Sequence, residues 1–260
     1  MSANKVAIVT GSATGVGAEV AKQLAARGIN VVVNYTKSED EARDTAQACL
    51  EQGVEVELVC ANVADDADCR AMAGKAVARW GRIDYLVNNA GASKFAAHHD
   101  LDALDEDDFL RIYKVNVIGA YQMVRAVAPA MKEGGAGSVV NISSVAGVMG
   151  IGSSIAYAAS KGALNTMTLS LARALGPEIR VNAVCPGMID TRWLRNGLGQ
   201  EGFAKLYEGT AAATPLKAVS TPAEVAEPVL FFLLSASHIT GETLLVDAGT
   251  HLGYAPLVAR

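Results

Sequence analysis

Short apolar segments alternate with longer amphipathic segments along almost the whole chain. The apolar segments are rich in valine and isoleucine and predict strands buried on both faces; they are residues 5–10, 30–34, 54–60, 83–88, 138–142, 179–185 and 243–246. The segments between them have helical spacing of apolar residues and predict helices; they are residues 18–27, 38–52, 65–80, 104–132, 153 onward and 221–234. Residues 188–214 are predicted to be irregular or short-helical, and Ser38 to Glu41 is a predicted capping box.

This alternation predicts the fold class. Parallel strands need right-handed crossover connections, and helices supply them on both faces of the sheet. We therefore expect one α/β domain over residues 1–260, a doubly wound Rossmann-type parallel sheet of about seven strands. No shift in composition and no low-complexity segment marks a second domain.

Composition and charge narrow the class of protein. A hydrophobic fraction of 51% and a mean hydropathy of +0.24 allow a large core, and the net charge of −5 with scattered Lys and Arg argues against a nucleic-acid surface. No apolar run approaches the ~18 residues of a membrane span. No signal peptide is expected, because the first predicted strand begins at residue 5. The cysteines lack metal-binding spacing and indicate reduced thiols in a cytoplasmic protein; they are Cys49, Cys60, Cys69 and Cys185.

A glycine-rich turn, residues 11–17, joins the first strand to the first helix. Glycines there allow the backbone to turn tightly and allow a pyrophosphate to approach the N–H groups at the helix N-terminus. The alternative is an ordinary strand-to-helix turn, and the absence of a Gly-Lys-Ser/Thr ending excludes a P-loop.

Tyr157 and Lys161 lie four residues apart on a predicted helix, one turn from each other on the same face. Ser144 follows the fifth strand and is placed to converge on them. A nearby cation lowers the pKa of a phenol, so the pair predicts a group that transfers a proton near neutral pH. The alternative is an exposed helical pair.

The turns after four strands strengthen the site interpretation. They are residues 11–17, 88–91, 143–147 and 186–191. Because the carboxyl ends of parallel strands share one edge of the sheet, and ligands bind there near the switch point, these turns and the Tyr157 helix are predicted to form one site.

The chain resembles the short-chain dehydrogenase/reductase family, single-domain branch, from about Lys5 to Gly249. The motifs that carry the resemblance are Thr10-Gly-x-x-x-Gly15-x-Gly17, Asn88-Asn-Ala-Gly91, Asn116 within KVNV, Ser144, Tyr157-x-x-x-Lys161, and Pro186-Gly187 followed by Thr191. The resemblance implies hydride transfer between a nicotinamide cofactor and a carbonyl or secondary alcohol. The alternative is a protein of this fold that senses NADP(H) without turnover, but such a sensor would not need the acid/base residues.

The resemblance also implies residue roles. Tyr157 is the acid/base, Lys161 lowers its pKa and binds the nicotinamide ribose, Ser144 bonds the substrate oxygen while Ser143 points elsewhere, and Asn116 holds a water linking Lys161 to solvent. The residues expected to bind the cofactor are Gly11, Ser12, Thr14, Gly15, Val16, Gly17, Tyr35, Thr36, Lys37, Asn62, Val63, Asn89, Ala90, Gly91, Tyr157, Lys161, Pro186, Gly187, Ile189 and Thr191.

The choice between NADP and NAD depends on the end of the second strand. An NAD site usually has an acid there, whereas this chain has Tyr35, Thr36 and Lys37. Lys37 could pair with a 2′-phosphate, so NADP is favoured and NAD remains possible. Against NADP, Glu39 and Asp40 lie close, and Thr14 stands where NADP-dependent relatives often carry Arg. Asn62 replaces the usual Asp before Val63.

The substrate pocket is expected to be largely apolar, which suggests a medium-sized ketone or alcohol. Its predicted lining is Ser93, Ala146, Met149, Ile151, Met188, Trp193, Leu194 and Phe203. Residues 190–214 combine glycines with large apolar groups and are predicted to form a closing lid; the alternative is a surface helix pair with Trp193 in the core. His98 and His99 are interpreted as solvent-facing rather than as metal ligands, and no metal is expected.

The last helix and the tail predict a homotetramer. Val225, Val229, Leu230, Phe232 and Leu233 make the helix apolar over more of its circumference than one sheet face covers. The tail, residues 247–260, adds Leu252, Tyr254 and Leu257. Similar enzymes bury these surfaces between subunits of tetramers with two-fold symmetry.

Overall fold

The computed structural model describes residues 4–253, and these form seven strands with helices between them. The strands are β1 (Val6–Val9), β2 (Asn30–Tyr35), β3 (Val56–Cys60), β4 (Tyr85–Asn88), β5 (Gly137–Ile142), β6 (Ile179–Pro186) and β7 (Thr243–Val246). Each lies within two residues of its predicted position. Apolar, mostly β-branched runs specify them because both faces of a parallel strand are covered.

All seven strands belong to one parallel sheet in the order β3-β2-β1-β4-β5-β6-β7. The chain builds β2 and β3 on one side of β1, then returns to add β4 on the other side. That reversal places a crevice outside the carboxyl ends of β1 and β4. The predicted doubly wound fold is confirmed.

Helices cover both faces of the sheet. The α-helices of the described chain are α1 (Gly15–Ala25), α2 (Glu39–Leu50), α3 (Asp66–Trp80), α4 (Glu106–Tyr113), α5 (Ala120–Gly134), α6 (Ala146–Met149), α7 (Ile155–Leu175), α8 (Arg192–Ala213) and α9 (Pro222–Leu234). One core lies beneath α1, α2 and α9, and the other beneath α3, α5 and α7. Within residues 4–253, no helix combines the length and apolar character needed to cross a bilayer.

The observed fold corrects or refines three local predictions. The predicted single helix over 104–132 is α4, a π-helical segment (Lys114–Gly119) and α5 in succession, and a 3₁₀ turn (Leu101–Ala103) precedes them. Residues 192–213, predicted to be irregular or short-helical, are helical with a break at Gly199, whose φ of 71° and ψ of 169° are not helical. The Ser38 side chain caps nothing, so the predicted capping box at α2 is wrong.

Candidate active site

A cavity of about 1270 Å³ opens along the carboxyl edge of the sheet. Its walls come from the turns after β1, β2, β3, β4, β5 and β6, together with α7 and α8. Pockets for one small molecule usually occupy roughly 300–1,000 Å³. This cavity therefore has room for a dinucleotide and a second molecule.

The turn after β1 is held open by side-chain amides. The side-chain oxygen of Asn34 accepts the N–H of Gly11 at 2.9 Å, and Asn89 Nδ2 donates to the carbonyls of Thr10 and Gly11 at 3.0 and 2.9 Å. These bonds fix the turn in a conformation with a φ of 59° at Gly11 and 60° at Gly15. Asn34 was not predicted to be important, although an amide in an otherwise apolar strand is a readable signal.

This turn fits a pyrophosphate. The side chain of Thr14, the N-cap, makes no bond to the first turn of α1, so backbone N–H groups at the helix N-terminus face the cavity uncapped. A Cβ on Gly17 would lie 2.4 Å from Asn89 Nδ2 and 2.7 Å from the Gly11 carbonyl oxygen, so only glycine lets the helix start this close to the strand end. The donor set and the close approach are those that a dinucleotide requires.

Most of the residues predicted to bind the cofactor line the cavity. They are Gly11, Thr14, Gly15, Val16, Tyr35, Thr36, Lys37, Asn62, Val63, Asn89, Ala90, Gly91, Tyr157, Lys161, Pro186, Gly187, Ile189 and Thr191. Ser12 and Gly17 lie behind it instead. The Ser12 hydroxyl donates to the Val9 carbonyl at 2.7 Å and accepts the Asn34 N–H at 2.9 Å, so Ser12 holds β1 to β2.

The proton-transfer residues meet where β5 ends. Ser154 caps α7 by accepting the N–H of Tyr157 at 3.2 Å, which places Tyr157 in the first turn and Lys161 one turn later. Lys161 Nζ donates to the Ile142 carbonyl at 2.7 Å and lies 5.7 Å from the centre of the Tyr157 ring. Ser144 faces the phenol, whereas the neighbouring Ser143 is buried and donates to the Lys161 carbonyl at 3.1 Å.

Burial governs the protonation of this pair. It raises the pKa of the Tyr157 phenol to about 12, although the Ser144 hydroxyl acts in the opposite direction. Burial also lowers the pKa of the Lys161 ammonium to about 8. Burial is the largest cause of the rise in the Tyr157 pKa, and the lowering of that pKa by Lys161 stays a prediction. A phenol with this pKa keeps its proton at neutral pH and can donate it.

Asn116 connects the turn after β4 to α7. It lies in the π-helical segment, where its side chain exchanges two hydrogen bonds with the Ala92 backbone, at 2.7 and 2.9 Å. Its Nδ2 also donates to Ser160 Oγ at 2.9 Å, and that hydroxyl donates to the Tyr157 carbonyl at 2.7 Å. Asn116 and Ser160 therefore fix the position of the Tyr157 turn. Ser160, directly before Lys161, was not predicted to take part.

Aromatic rings close the far end of the cavity. The Trp193 ring lies 5.4 Å from that of Phe95 and 6.0 Å from that of Tyr157, measured between centroids. A Cβ on Gly197 would meet the Phe95 ring at 2.0 Å, so glycine lets α8 seat directly on it. Trp193 faces the cavity and is not the core residue of the alternative interpretation.

The predicted substrate lining is partly correct. Ala146, Ile151, Met188, Trp193 and Leu194 line the cavity. The other three do not: the Ser93 hydroxyl pairs with Ser153 at 2.6 Å, Met149 is exposed on α6, and Phe203 is buried with the Arg195 guanidinium 4.1 Å from its ring centre. Lining residues that the sequence analysis did not identify include Phe95, Ser153, Leu198 and Leu206.

The histidines and cysteines form no metal centre in the part of the chain that the structure describes. No group of three potential ligands clusters among residues 4–253. His99 is exposed as expected, but His98 is half-buried with Nε2 inaccessible to solvent. Cys60 is exposed, and the other three cysteines are buried free thiols.

Comparisons with known proteins agree with this site. A family model described as "Enoyl-(Acyl carrier protein) reductase" matches residues 11–251. A Streptomyces violaceoruber protein named as a ketoacyl reductase of the granaticin polyketide synthase is 44% identical over 247 residues, 95% of this chain and 96% of the relative. The 3-oxoacyl-[acyl-carrier-protein] reductase of Staphylococcus epidermidis is 33% identical over 251 residues, 96% of this chain and all of the relative.

A solved structure gives the same answer for the whole fold. The crystal structure of a Burkholderia xenovorans protein described as a short-chain dehydrogenase/reductase superposes with a TM-score of 0.91 at 42% identity, covering 97% of this chain and all of that one. These relatives match nearly the whole chain, including the sheet, the glycine turn and the Tyr157–Lys161 pair. The chain belongs to the short-chain dehydrogenase/reductase family, and it is an oxidoreductase that transfers a hydride between a nicotinamide cofactor and a carbonyl or alcohol.

Proposed function

We propose that the protein is an NADP-preferring reductase of medium-sized, largely apolar ketones. The observation that carries the cofactor preference is the wall of the cavity at the end of β2, where Tyr35, Thr36 and Lys37 stand without a carboxylate among them. The nearby Glu39 is paired with Arg43 at 2.5 Å. A ribose 2′-phosphate would meet a lysine there, whereas a ribose 2′-hydroxyl would lack its usual acidic partner.

The proposed chemistry divides between cofactor and protein. The nicotinamide, when bound, supplies or accepts the hydride. Tyr157 donates the proton to the substrate oxygen, and the Ser144 hydroxyl stabilises the charge that develops there. Lys161 binds the nicotinamide ribose and keeps a positive charge next to the phenol. Asn116 positions Tyr157 through Ser160, and its predicted water relay remains part of the proposal.

The apolar end of the cavity supports the proposed substrate class. The carbon surface that lines the cavity includes Phe95, Ile151, Met188, Trp193 and Leu198, and the Trp193 ring lies beside that of Tyr157. Each CH₂ that a substrate buries there contributes about 0.8 kcal/mol. Two relatives are named as ketoacyl reductases, which is consistent with a ketone as the reacting group.

A kinetic comparison tests this function. The specificity constant kcat/KM is measured with NADPH and with NADH for bicyclic ketones, linear 3-oxoacyl thioesters and small methyl ketones. The proposal expects NADPH to be preferred by about tenfold or more, and bicyclic or long ketones to exceed the small ones. Equal values with both cofactors would contradict the NADP preference, and a preference for small ketones would contradict the substrate class.

Residues 190–214 are proposed to act as the substrate lid. Helix α8 lines the cavity with Trp193, Leu194, Leu198 and Leu206. Its break at Gly199 provides a hinge, in a backbone conformation that a residue with a side chain would not adopt readily. Closure over the substrate would exclude water from the site of hydride transfer.

Limited proteolysis tests the lid. In the cofactor-free protein, cleavage is expected within residues 196–209, because a hinged surface helix opens locally more easily than the core does. Adding NADPH and a ketone should slow that cleavage by about tenfold while cleavage elsewhere is unchanged. The same cleavage rate with and without ligands would identify α8 as fixed scaffold.

We also propose a cytoplasmic homotetramer. Free thiols suit a reducing compartment. Helix α9 does not supply the predicted interface: the large apolar side chains buried within this chain are Val225, Val229, Leu230, Phe232 and Leu233, and only Phe231 of the helix is exposed. Exposed apolar residues elsewhere support assembly instead: Leu110, Ile118 and Tyr121 around α4 and α5, and Leu244 on the edge strand β7. Tyr254 and Leu257 lie outside the described residues.

Light scattering after size exclusion tests the assembly. The expected mass at micromolar concentration is that of four chains, because apolar patches of this kind are normally buried between subunits. Ile118→Glu should lower the mass, whereas Glu19→Gln, a single exchange on α1, should not. A mass of one chain for the unaltered protein would refute the tetramer.

A further inference from the structure

We infer that Arg192 is a specificity residue for the cofactor, which exchanges its partner Glu41 for the 2′-phosphate of NADP. The inference rests on the proposed NADP preference and deepens it by naming a second cation, from the lid, beside Lys37. Through Arg192, the binding of NADP would also fix the position of the lid helix α8.

The first observation is a contact across the cavity. Arg192 is the first residue of α8, yet its guanidinium reaches the start of α2, more than 150 residues earlier in the chain. There it bonds the Glu41 carboxylate through Nη1 and the Ser38 hydroxyl through Nη2, the latter at 3.4 Å. The Arg192 side chain therefore spans the opening between the lid and the end of β2.

The second observation is where this contact lies. Arg192 and Lys37 both line the cavity, and Ser38 directly follows Lys37. The end of the second strand is where dinucleotide folds bind the 2′ position of the adenosine ribose. A lysine, an arginine and a hydroxyl that caps no helix thus converge on the place where a 2′-phosphate would sit. Such a set suits a phosphate, for which Arg gives bidentate charge-assisted bonds.

The third observation is that the present partner of Arg192 can be displaced. Both side chains of the Arg192–Glu41 pair are well exposed, and exposed ion pairs contribute little to stability. Arg192 lowers the pKa of Glu41, so the carboxylate is ionised at neutral pH and keeps the guanidinium in place. A phosphate dianion is the stronger acceptor and would take the guanidinium from Glu41. Glu41 then also acts as a competitor that weakens phosphate binding.

Arg192 also transmits this exchange to the substrate side. The ring of the next residue, Trp193, packs against the rings of Phe95 and Tyr157 in tilted contacts. Anchoring Arg192 on the cofactor therefore fixes the first turn of α8, which covers the reacting groups. Arg192 and Trp193 together would connect the 2′-phosphate site to the aromatic rings around Tyr157.

Isothermal titration of the cofactor-free protein tests the inference without turnover. The probes are 2′,5′-ADP and AMP, which differ only in the 2′-phosphate. Arg192→Gln should weaken the binding of 2′,5′-ADP by about tenfold, the scale of one charge-assisted bond. The affinity for AMP should stay within about twofold of the unaltered protein. Glu41→Gln should tighten 2′,5′-ADP, and this gain should vanish in the Arg192→Gln background. Arg195→Gln is the matched control, because Arg195 lies on the same helix, pairs with Asp190 and does not line the cavity.

The other outcomes separate the two proposals. If Arg192→Gln weakened the binding of both probes equally, Arg192 would contact the AMP part that they share, and the inference would be overturned. Unchanged binding of 2′,5′-ADP would do the same while leaving the NADP preference to Lys37. If the unaltered protein bound both probes equally, the NADP preference and the role of Arg192 would both be wrong.

Discussion

Tyr157→Phe is expected to lower kcat by about a thousandfold or more while cofactor affinity stays within about twofold. General acid catalysis by a placed side chain contributes roughly 10²–10⁴-fold, and the phenol is the proton donor that faces Ser144. Phenylalanine keeps the ring against Trp193 and beneath the Lys161 ammonium, so the cavity keeps its shape. Steady-state kinetics with a ketone and titration of NADPH fluorescence measure the two quantities.

The control for this change removes a phenolic hydroxyl from the surface. Tyr121 lies on α5 with its ring 5.7 Å from the Arg125 guanidinium, and Tyr121→Phe should leave kcat unaltered. A Tyr157→Phe variant that retained more than about a tenth of the activity would show that another group donates the proton.

Lys161→Met is expected to lower kcat/KM by about a hundredfold or more and to weaken cofactor binding. It removes a positive charge near the phenol and the contact proposed for the nicotinamide ribose. It also breaks the 2.7 Å bond to the Ile142 carbonyl, which orients the side chain. Lys132→Met, at the exposed end of α5, is the matched control and should change neither quantity.

Lys161→Met is also expected to raise the free energy of unfolding, by an amount that depends on pH. Burial lowers the pKa of Lys161 from 10.5 to about 8, so between these values the unfolded chain holds a proton that the folded protein has lost. The free energy of unfolding of the unaltered protein therefore gains a contribution as pH rises through that window. Urea unfolding should show a stability advantage of Lys161→Met over the unaltered protein that is largest below pH 8 and narrows toward 10.5. A difference independent of pH would mean that the ammonium is not desolvated.

The sheet and the location of the site were predictable because they follow from periodicity and topology. Runs such as Val31–Val33 leave a buried parallel strand as the only reasonable structure. Once the strands alternate with helices, their carboxyl ends must share an edge. The glycine turn, Ser144 and Tyr157 were therefore expected together without any knowledge of contacts.

Features that depend on contacts between distant segments were not predictable. Ser38 has the sequence pattern of a capping box, but its hydroxyl faces Arg192 from the other side of the cavity. The π-helical turn that carries Asn116 leaves no mark in the amphipathic pattern, because it shifts the backbone without changing which residues are apolar. The direction of the Tyr157 pKa shift depends on how deeply the phenol is buried, which sequence spacing does not reveal.

The substrate wall shows the same limit. Phe95 and Ser153 come from loops whose positions depend on each other, through the bond from the Ala96 N–H to the Ser153 carbonyl at 2.8 Å. Phe203 was expected at the wall because it is large and apolar on the predicted lid, but it is buried beneath Arg195 instead. Residue type identified an apolar wall, whereas the identity of its members required the fold.

Hydride transfer from a labelled cofactor tests whether the protein is a carbonyl reductase. NADPH carrying deuterium at the transferable position of the nicotinamide is incubated with the protein and a bicyclic ketone, and the product is examined by mass spectrometry. We expect one deuterium on the carbinol carbon of the alcohol, formed by the unaltered protein and not by Tyr157→Phe. Binding of the cofactor with no deuterium in any product across the ketone panel would contradict the assignment of this site as a carbonyl reductase.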